Sequence, residues 1–213
     1  MDRLSLNNVL PFFLSDTSAV SEIWGRDVVF NKGENVLVTA VSGIGKSSLL
    51  SYIFGERCDF KGAIAYDRQA LDTVKAKQWS KIRSRHISYV FQGLRLFSDL
   101  TAIENILIKN RLTKEKTEAE IHALLDAVGL GDKKQEKAAR LSFGQQQRVA
   151  ILRALCQPFD FLLLDEPFSH LDETNINIIS TLIEKEVRRR NAGMVLCSLG
   201  PEYSFNYHHQ YNL

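Results

Sequence analysis

The sequence predicts an α/β fold: a mostly parallel sheet with helices packed on it and a further helical lobe inserted. Three observations predict this. Short apolar runs alternate with amphipathic stretches along the 213 residues. A glycine-bearing loop, "AVSGIGKSS", stands between one such run and a helical stretch. A later run, "FLLLD", ends abruptly in two acids and a proline.

The strand-like runs, in order, are "VLVTA", "GAIAY", "ISYVF", "FDFLLLD" and "GMVLCS". Several are nearly continuous in apolar residues, as parallel strands buried on both faces require. Helical patterns lie between them. "SSLLSYIFG" carries helix formers and stops at Gly55. "KTEAEIHALLDAVGL" puts Ile121, Leu124, Leu125 and Val128 on one face, spaces Thr117 and Glu120 as a capping box, and can end at Gly129. "GQQQRVAILRALCQ" is ended by Pro158, and "DETNINIISTLIEKEVRRR" stops near Gly193. Residues 93–157 are mainly helical and are expected to form the lobe, leaving 1–92 and 158–213 as the core lobe of a single domain.

Composition sets bounds on function. The chain is 45% hydrophobic and 24% charged, with a formal net charge of +2. That balance gives no electrostatic footprint for nucleic acid. "RRR", closing the last long helix, reads as a solvated helix end, where cations suit the dipole. Cys58, Cys156 and Cys197 lack metal spacing and read as reduced thiols of a cytosolic protein. No leader pattern and no membrane-length apolar stretch is evident, so any membrane role is expected to come through a partner.

The glycine loop is the first chemical signal. It follows an apolar β-branched run and precedes a helix, the context a phosphate-binding P-loop needs. Gly43 and Gly45 let backbone amides approach a phosphate closely. The helix behind them adds unpaired amides and a positive dipole end. Lys46 offers a compact charge for the β- and γ-phosphates, and Ser47 a hydroxyl for Mg²⁺. The usual first glycine of the pattern is replaced by Ala40.

The second signal is "FDFLLLDEPFSHLD". An apolar strand delivers Asp165 and Glu166 to its C-terminal end, where ligands bind in open parallel sheets. Neighbouring strand residues face opposite sides, so the two acids can serve different ends. Asp165 is placed to hold Mg²⁺ through water and Glu166 to polarise an attacking water. The third signal is "LSFGQQQRVAILRAL", where Ser142 and Gly144 sit directly before a helix and make a second anion-seeking N-terminus.

Taken in order, "AVSGIGKSS", "YVFQ", "LSFGQQQR", "LLLDEP" and "SHLD" resemble the ATP-binding subunits of ATP-binding cassette (ABC) transporters over nearly the whole chain. "ISYVFQGLRLFSDLTAIENI" and "LLDAVGLGDKK" resemble the subgroup of lipoprotein-releasing, macrolide-exporting and cell-division ABC ATPases. The resemblance implies a P-loop NTPase (RecA-like) core with an antiparallel N-terminal β portion. It implies two subunits paired head to tail, identical or paralogous, with ATP between them, and a separate transmembrane permease-type partner. It places the protein in the cytoplasm, peripheral on the inner face of the membrane. Carried onto this sequence, Ala40, Val41, Ser42, Gly43, Ile44, Gly45, Lys46, Ser47 and Ser48 hold the nucleotide. Ser47, Gln92 and Asp165 surround Mg²⁺, and Glu166, Lys46 and Gln92 carry catalysis. Ser142, Phe143, Gly144 and Gln145 reach the γ-phosphate from the second subunit, and Asp172 bridges the pair. Phe12, Phe13 and Trp24 are the aromatic candidates for stacking on adenine.

The departures from the family pattern bear on rate. Leu199 occupies the position of a histidine that contacts the γ-phosphate, and Gly200 that of an aspartate. Loss of one preorganised donor typically costs ~10²- to 10³-fold. His208 and His209 are a substitute, or else a mobile terminal pair. His170 reaches across the dimer or is an exposed loop histidine. Phe143, where glycine is usual, either crowds the γ-phosphate or turns away, and is costly if the position needs positive φ. The expected function is slow ATP hydrolysis coupled to a membrane partner. A non-hydrolysing, ATP-dependent dimerising clamp is the alternative, and a soluble ABC protein of translation or DNA repair a third reading.

Overall fold

The computed structural model describes residues 1–14, 21–40, 45–199, 203 and 205–213. Two sheets organise it. One takes β1 (Arg3–Pro11), β2 (Asp27–Asn31), β4 (Phe60–Tyr66) and β5 (Gln69–Ala70), antiparallel, in the order β2-β1-β4-β5. The other takes β3 (Asn35–Thr39), β6 (Ile87–Val90), β7 (Phe161–Asp165), β8 (Gly193–Ser198) and β9 (His209–Asn212), all parallel, in the order β6-β7-β8-β3-β9. The helices are α1 (Lys46–Ile53), α2 (Ala76–Arg85), α3 (Ala102–Thr113), α4 (Glu118–Ala127), α5 (Phe143–Leu155) and α6 (Glu173–Arg190). The expected run "GAIAY" is a strand, but it lies in the antiparallel sheet.

The parallel sheet separates two apolar cores, and the two-residue period of its strands sorts side chains between them. Leu162, Leu164, Met194 and Leu196 join Leu37 and residues of α3, α4, α5 and α6. Phe161, Leu163, Val195 and Cys197 join Val36, Val38, residues of α1 and α2, and the inner face of the antiparallel sheet. Every residue of β6, β7 and β8 is buried, which is why these runs are apolar apart from Ser88, Asp165 and Ser198. Asp165 continues the alternation of Phe161 and Leu163, so its carboxylate belongs to the side that carries α1.

Local chemistry fixes the helix ends. Thr117 and Glu120 form the expected capping box on α4, and Gly129 follows its end at φ 66. Helix α6 is stopped by Asn191 in the left-handed region, φ 47, two residues before Gly193. The basic end of α6 departs from the solvated reading. Arg190 is 8% exposed in its side chain and pairs with Glu115 at 2.9 Å and Glu186 at 3.1 Å. Lys116 reaches the same Glu186 at 2.7 Å, and Arg189 also pairs with Glu115 and Glu186. Arg188 and Arg189 keep the expected exposure, at 71% and 51%, and Arg190 alone of the three does not. All three cysteines are free, Cys58 exposed and the others buried. Among the described residues, no helix is long and apolar enough to cross a membrane.

Candidate functional site

The C-terminal ends of β3, β6 and β7 converge, and helix α1 begins where they meet. Val41, Ser42, Gly43 and Ile44 lie outside the described residues; Ala40, Gly45, Lys46, Ser47 and Ser48 are described. Gly45 caps α1 at φ 107 and ψ 20, a conformation that disfavours any Cβ. A Cβ there would also come within 3.1 Å of Phe13 Cζ and 3.4 Å of Trp24 Cζ2. Of the aromatic candidates, Phe12 and Phe13 are 63% and 49% exposed, whereas Trp24 is buried edge-on against Tyr52. Only the first two keep a ring face for a ligand.

Lys46 opens α1 and is 6% exposed. Its ammonium donates to the Ala40 carbonyl at 2.9 Å and lies 3.6 Å from Glu166 Oε1. Ser47 Oγ donates to Gln92 Oε1 at 3.4 Å, and Gln92 Nε2 donates to Glu166 Oε2 at 3.4 Å. These contacts close a ring of Lys46, Glu166, Gln92 and Ser47. At such lengths the bonds are weak and exchange readily for stronger partners.

Asp165 is 2% exposed. Its Oδ2 accepts from Tyr89 at 3.4 Å, while Oδ1 is buried with no partner among the described residues. Burial pushes its carboxyl above the usual range and the Glu166 charge adds to this, against the pull of Ser47, Tyr89 and Lys46. Burial beside this carboxyl likewise raises the Tyr89 phenol, keeping it a neutral donor. Glu166 turns the chain out of the strand in the left-handed region, φ 47, with its N–H donating to the Cys197 carbonyl at 3.0 Å. Such a conformation costs on the order of 1–3 kcal/mol and is held by its surroundings.

The signature segment forms the N-terminus of α5. Ser142 is the N-cap: its Oγ accepts from Gln145 N at 3.3 Å, and Gln145 Oε1 accepts from Ser142 N at 3.0 Å. The capping bond uses an oxygen lone pair, so the hydroxyl proton stays free to donate outward. The amides of Phe143 and Gly144 have no acceptor within the helix. Phe143 takes helical backbone as the first residue of α5, so the feared strain does not arise. Its ring turns onto His170, centroid to centroid 4.2 Å. Asp172 caps α6 and accepts from Asn175 N at 2.8 Å and Asn175 Nδ2 at 3.0 and 2.9 Å. The Asn175 backbone bond, aided by its side chain, lowers the Asp172 carboxyl below the usual range.

Leu199 follows β8 and is 54% exposed, with Gly200 outside the described residues. His208 and His209 are neither substitutes nor a mobile pair. His209 pairs in register with Val36 at the start of β3, at the opposite end of the sheet from the phosphate loop. The His208 Nδ1 accepts from Asn35 N at 2.9 Å.

Two contributing residues carry no strong mark in the sequence. Tyr89 is visible only as an apolar strand position. Gln147, the last glutamine of "GQQQ", is 2% exposed; its Nε2 donates to the Glu166 carbonyl at 3.2 Å and its Oε1 accepts from His170 N at 3.3 Å. A polar residue on the buried face of α5 is the signal that singles it out.

Comparison with known proteins bears on the family and the fold. A family model described as ABC transporter matches residues 25–169. The lipoprotein-releasing system ATP-binding protein LolD of Syntrophotalea carbinolica is 32% identical over 185 residues, covering 85% of this chain and 82% of that protein. The dimeric structure of MJ0796, a bacterial ABC transporter cassette, superposes with a TM-score of 0.79 at 26% identity, covering 92% and 88% of the two chains. A dimeric post-hydrolysis state of MJ0796 bound to ADP and Pi superposes with a TM-score of 0.76 at 28% identity, covering 92% and 87%.

Proposed function

The chain belongs to the ABC transporter family, and from that premise we propose that it is the ATP-binding, ATP-hydrolysing subunit of a membrane transporter complex. It works in the cytoplasm as a pair of cassettes docked on a transmembrane permease, with residues 93–157 as the helical lobe of each. One observation carries the reading: Lys46, Ser47, Gln92, Asp165 and Glu166, drawn from three separated segments, meet at one edge of the parallel sheet.

The site suits Mg²⁺. Among the described residues Asp165 Oδ1 is a buried oxygen without a partner, and Ser47 Oγ and Gln92 Oε1 are further oxygen ligands at the same sheet edge. Among the described residues no group of three or more His, Cys, Asp or Glu stands ready to hold a metal by itself. Mg²⁺ is commonly held in that way, by one or two protein oxygens with substrate phosphates. When bound, it neutralises charge on the β- and γ-phosphates.

The chain's own residues do the rest. Lys46 exchanges the Ala40 carbonyl and Glu166 for phosphate oxygens. That frees the Glu166 carboxylate, with Gln92, to orient the attacking water and accept its proton. Ser142 and the open amides of α5 close the γ-phosphate from the second cassette. Glu166→Gln keeps shape and loses the base. Phosphate release from the complex purified with its permease should fall at least ~10²-fold, the scale of general-base loss. A Glu166→Gln complex that turns over as fast as the parent refutes hydrolysis at this site.

A further inference from the structure

The face that presents Ser142 also presents a histidine that neither the phosphate loop nor the acidic strand uses. His170 is exposed, and its ring leans on that of Phe143, which is itself 46% exposed. The backbone beneath is closely fitted: a Cβ on Gly144 would come within 2.8 Å of the His170 carbonyl oxygen. Gln147 holds the His170 N–H and the Glu166 carbonyl together, at 3.3 and 3.2 Å. Signature turn, His170 and Glu166 are therefore tied to one another.

The ring is oriented as well as placed. Ser169 Oγ lies 2.9 Å from His170 Nδ1 and 3.3 Å from the Glu166 carbonyl. The single hydroxyl proton, given to Nδ1 along the shorter contact, leaves the imidazole proton on Nε2; given to the Glu166 carbonyl, it leaves that proton on Nδ1. No described residue bonds Nε2, which in the first arrangement is an unused donor. Leu199, directly after β8, is exposed and has no polar side-chain atom.

We propose that His170, braced by the Phe143 ring, donates from Nε2 to the γ-phosphate of the nucleotide held by the paired cassette, and so supplies across the dimer the donor that Leu199 does not supply. This rests on the head-to-tail hydrolytic pair proposed above. It explains both departures together. An aromatic ring in the signature is tolerated because it lies against His170, clear of Ser142, and a leucine is tolerated after β8 because charge on the phosphate is met from the other copy. No bond is made or broken by His170; it stabilises charge that develops in the transfer.

The test compares the parent complex, His170→Ala, and His170→Ala combined with Leu199→His, measuring phosphate release. ATP-driven pairing is measured in parallel in the Glu166→Gln background. His170→Ala should lose ~10²-fold in turnover, the scale of one oxyanion donor, and keep its ATP-driven pairing. Adding Leu199→His, at a site exposed enough to take it, should recover a large part of that loss. The proposal is overturned if His170→Ala turns over like the parent, if it loses pairing along with turnover, or if Leu199→His recovers nothing. A parent no faster than Glu166→Gln removes the hydrolytic reading and this inference together; an active parent matched by His170→Ala removes this inference alone.

Discussion

Gln147 shows how much of the site depends on one side chain that touches no phosphate. It is buried, and its two hydrogen bonds hold the carbonyl of Glu166 and the amide of His170. Glu166 occupies the left-handed region, which its own chemistry does not favour, so the surrounding bonds set the direction of its carboxylate. Gln147→Met keeps volume and removes both bonds. It should leave KM for ATP near the parent value and lower kcat between ~10- and 10²-fold, as a small misplacement of a catalytic group does. Stability should fall by about 1–3 kcal/mol, for a buried amide left unpaired. Steady-state kinetics with a urea titration check both, and a Met variant with the parent's kcat would show that packing alone positions Glu166. The sequence shows Lys46, Ser47, Asp165 and Glu166 plainly because each sits at a fixed offset from a glycine loop or an apolar strand. It does not show that Gln147 or Phe143 meets His170, because those contacts join segments that only the fold brings together.

Among the elements, those whose fate is decided locally are the legible ones. The buried strands β3, β6, β7 and β8 are read from apolar runs, and α4 from its cap, its stripe and its glycine. Strand β9 is different: "HQYN" is largely exposed and becomes a strand only because β3 has a free edge for it. Strand β1 is disguised by a register shift between Asn7 and Leu10, and α2 buries only Ile82. The basic end of α6 was legible as charge but not as a junction. There Glu186 ties Arg189 and Arg190 of its own helix to Lys116, between α3 and α4. Burial opposes the ionised Glu186, yet the bonds from Lys116 and Arg189 win and hold its carboxyl below the usual range. A depressed carboxyl stabilises the fold above the unfolded value, ~4.3 for glutamate, and that stabilisation is lost as pH falls through the folded value. Glu186→Gln should therefore cost about 3–5 kcal/mol at neutral pH, as breaking a buried pair does. The gap from the parent should narrow in acid. Chemical denaturation at neutral and acidic pH measures it; a gap that is constant with pH would mean the cost is not ionic.

At the scale of the molecule, the parallel sheet does two jobs with one edge. Its faces separate the two cores, and its C-terminal ends gather the residues proposed above to hold the nucleotide. Binding there should register as stability of the whole fold. With Glu166→Gln blocking turnover, MgATP at a hundredfold excess over Kd adds about 2.7 kcal/mol. For a chain of this size that is a rise in Tm of roughly 5–10 °C. Lys46→Ala, which removes the ammonium but leaves both cores intact, should show little of this rise. Pairing adds a second signature. If two cassettes share the nucleotide, the ATP-stabilised Tm must climb with protein concentration, because the folded ligand complex is a dimer and the unfolded chain is not. The ATP-free Tm should stay flat over the same range. Scanning calorimetry across a wide range of protein concentrations separates the two cases. A stabilisation by MgATP that is independent of concentration would mean that one chain holds the nucleotide alone, and Ser142 would then have no phosphate to meet.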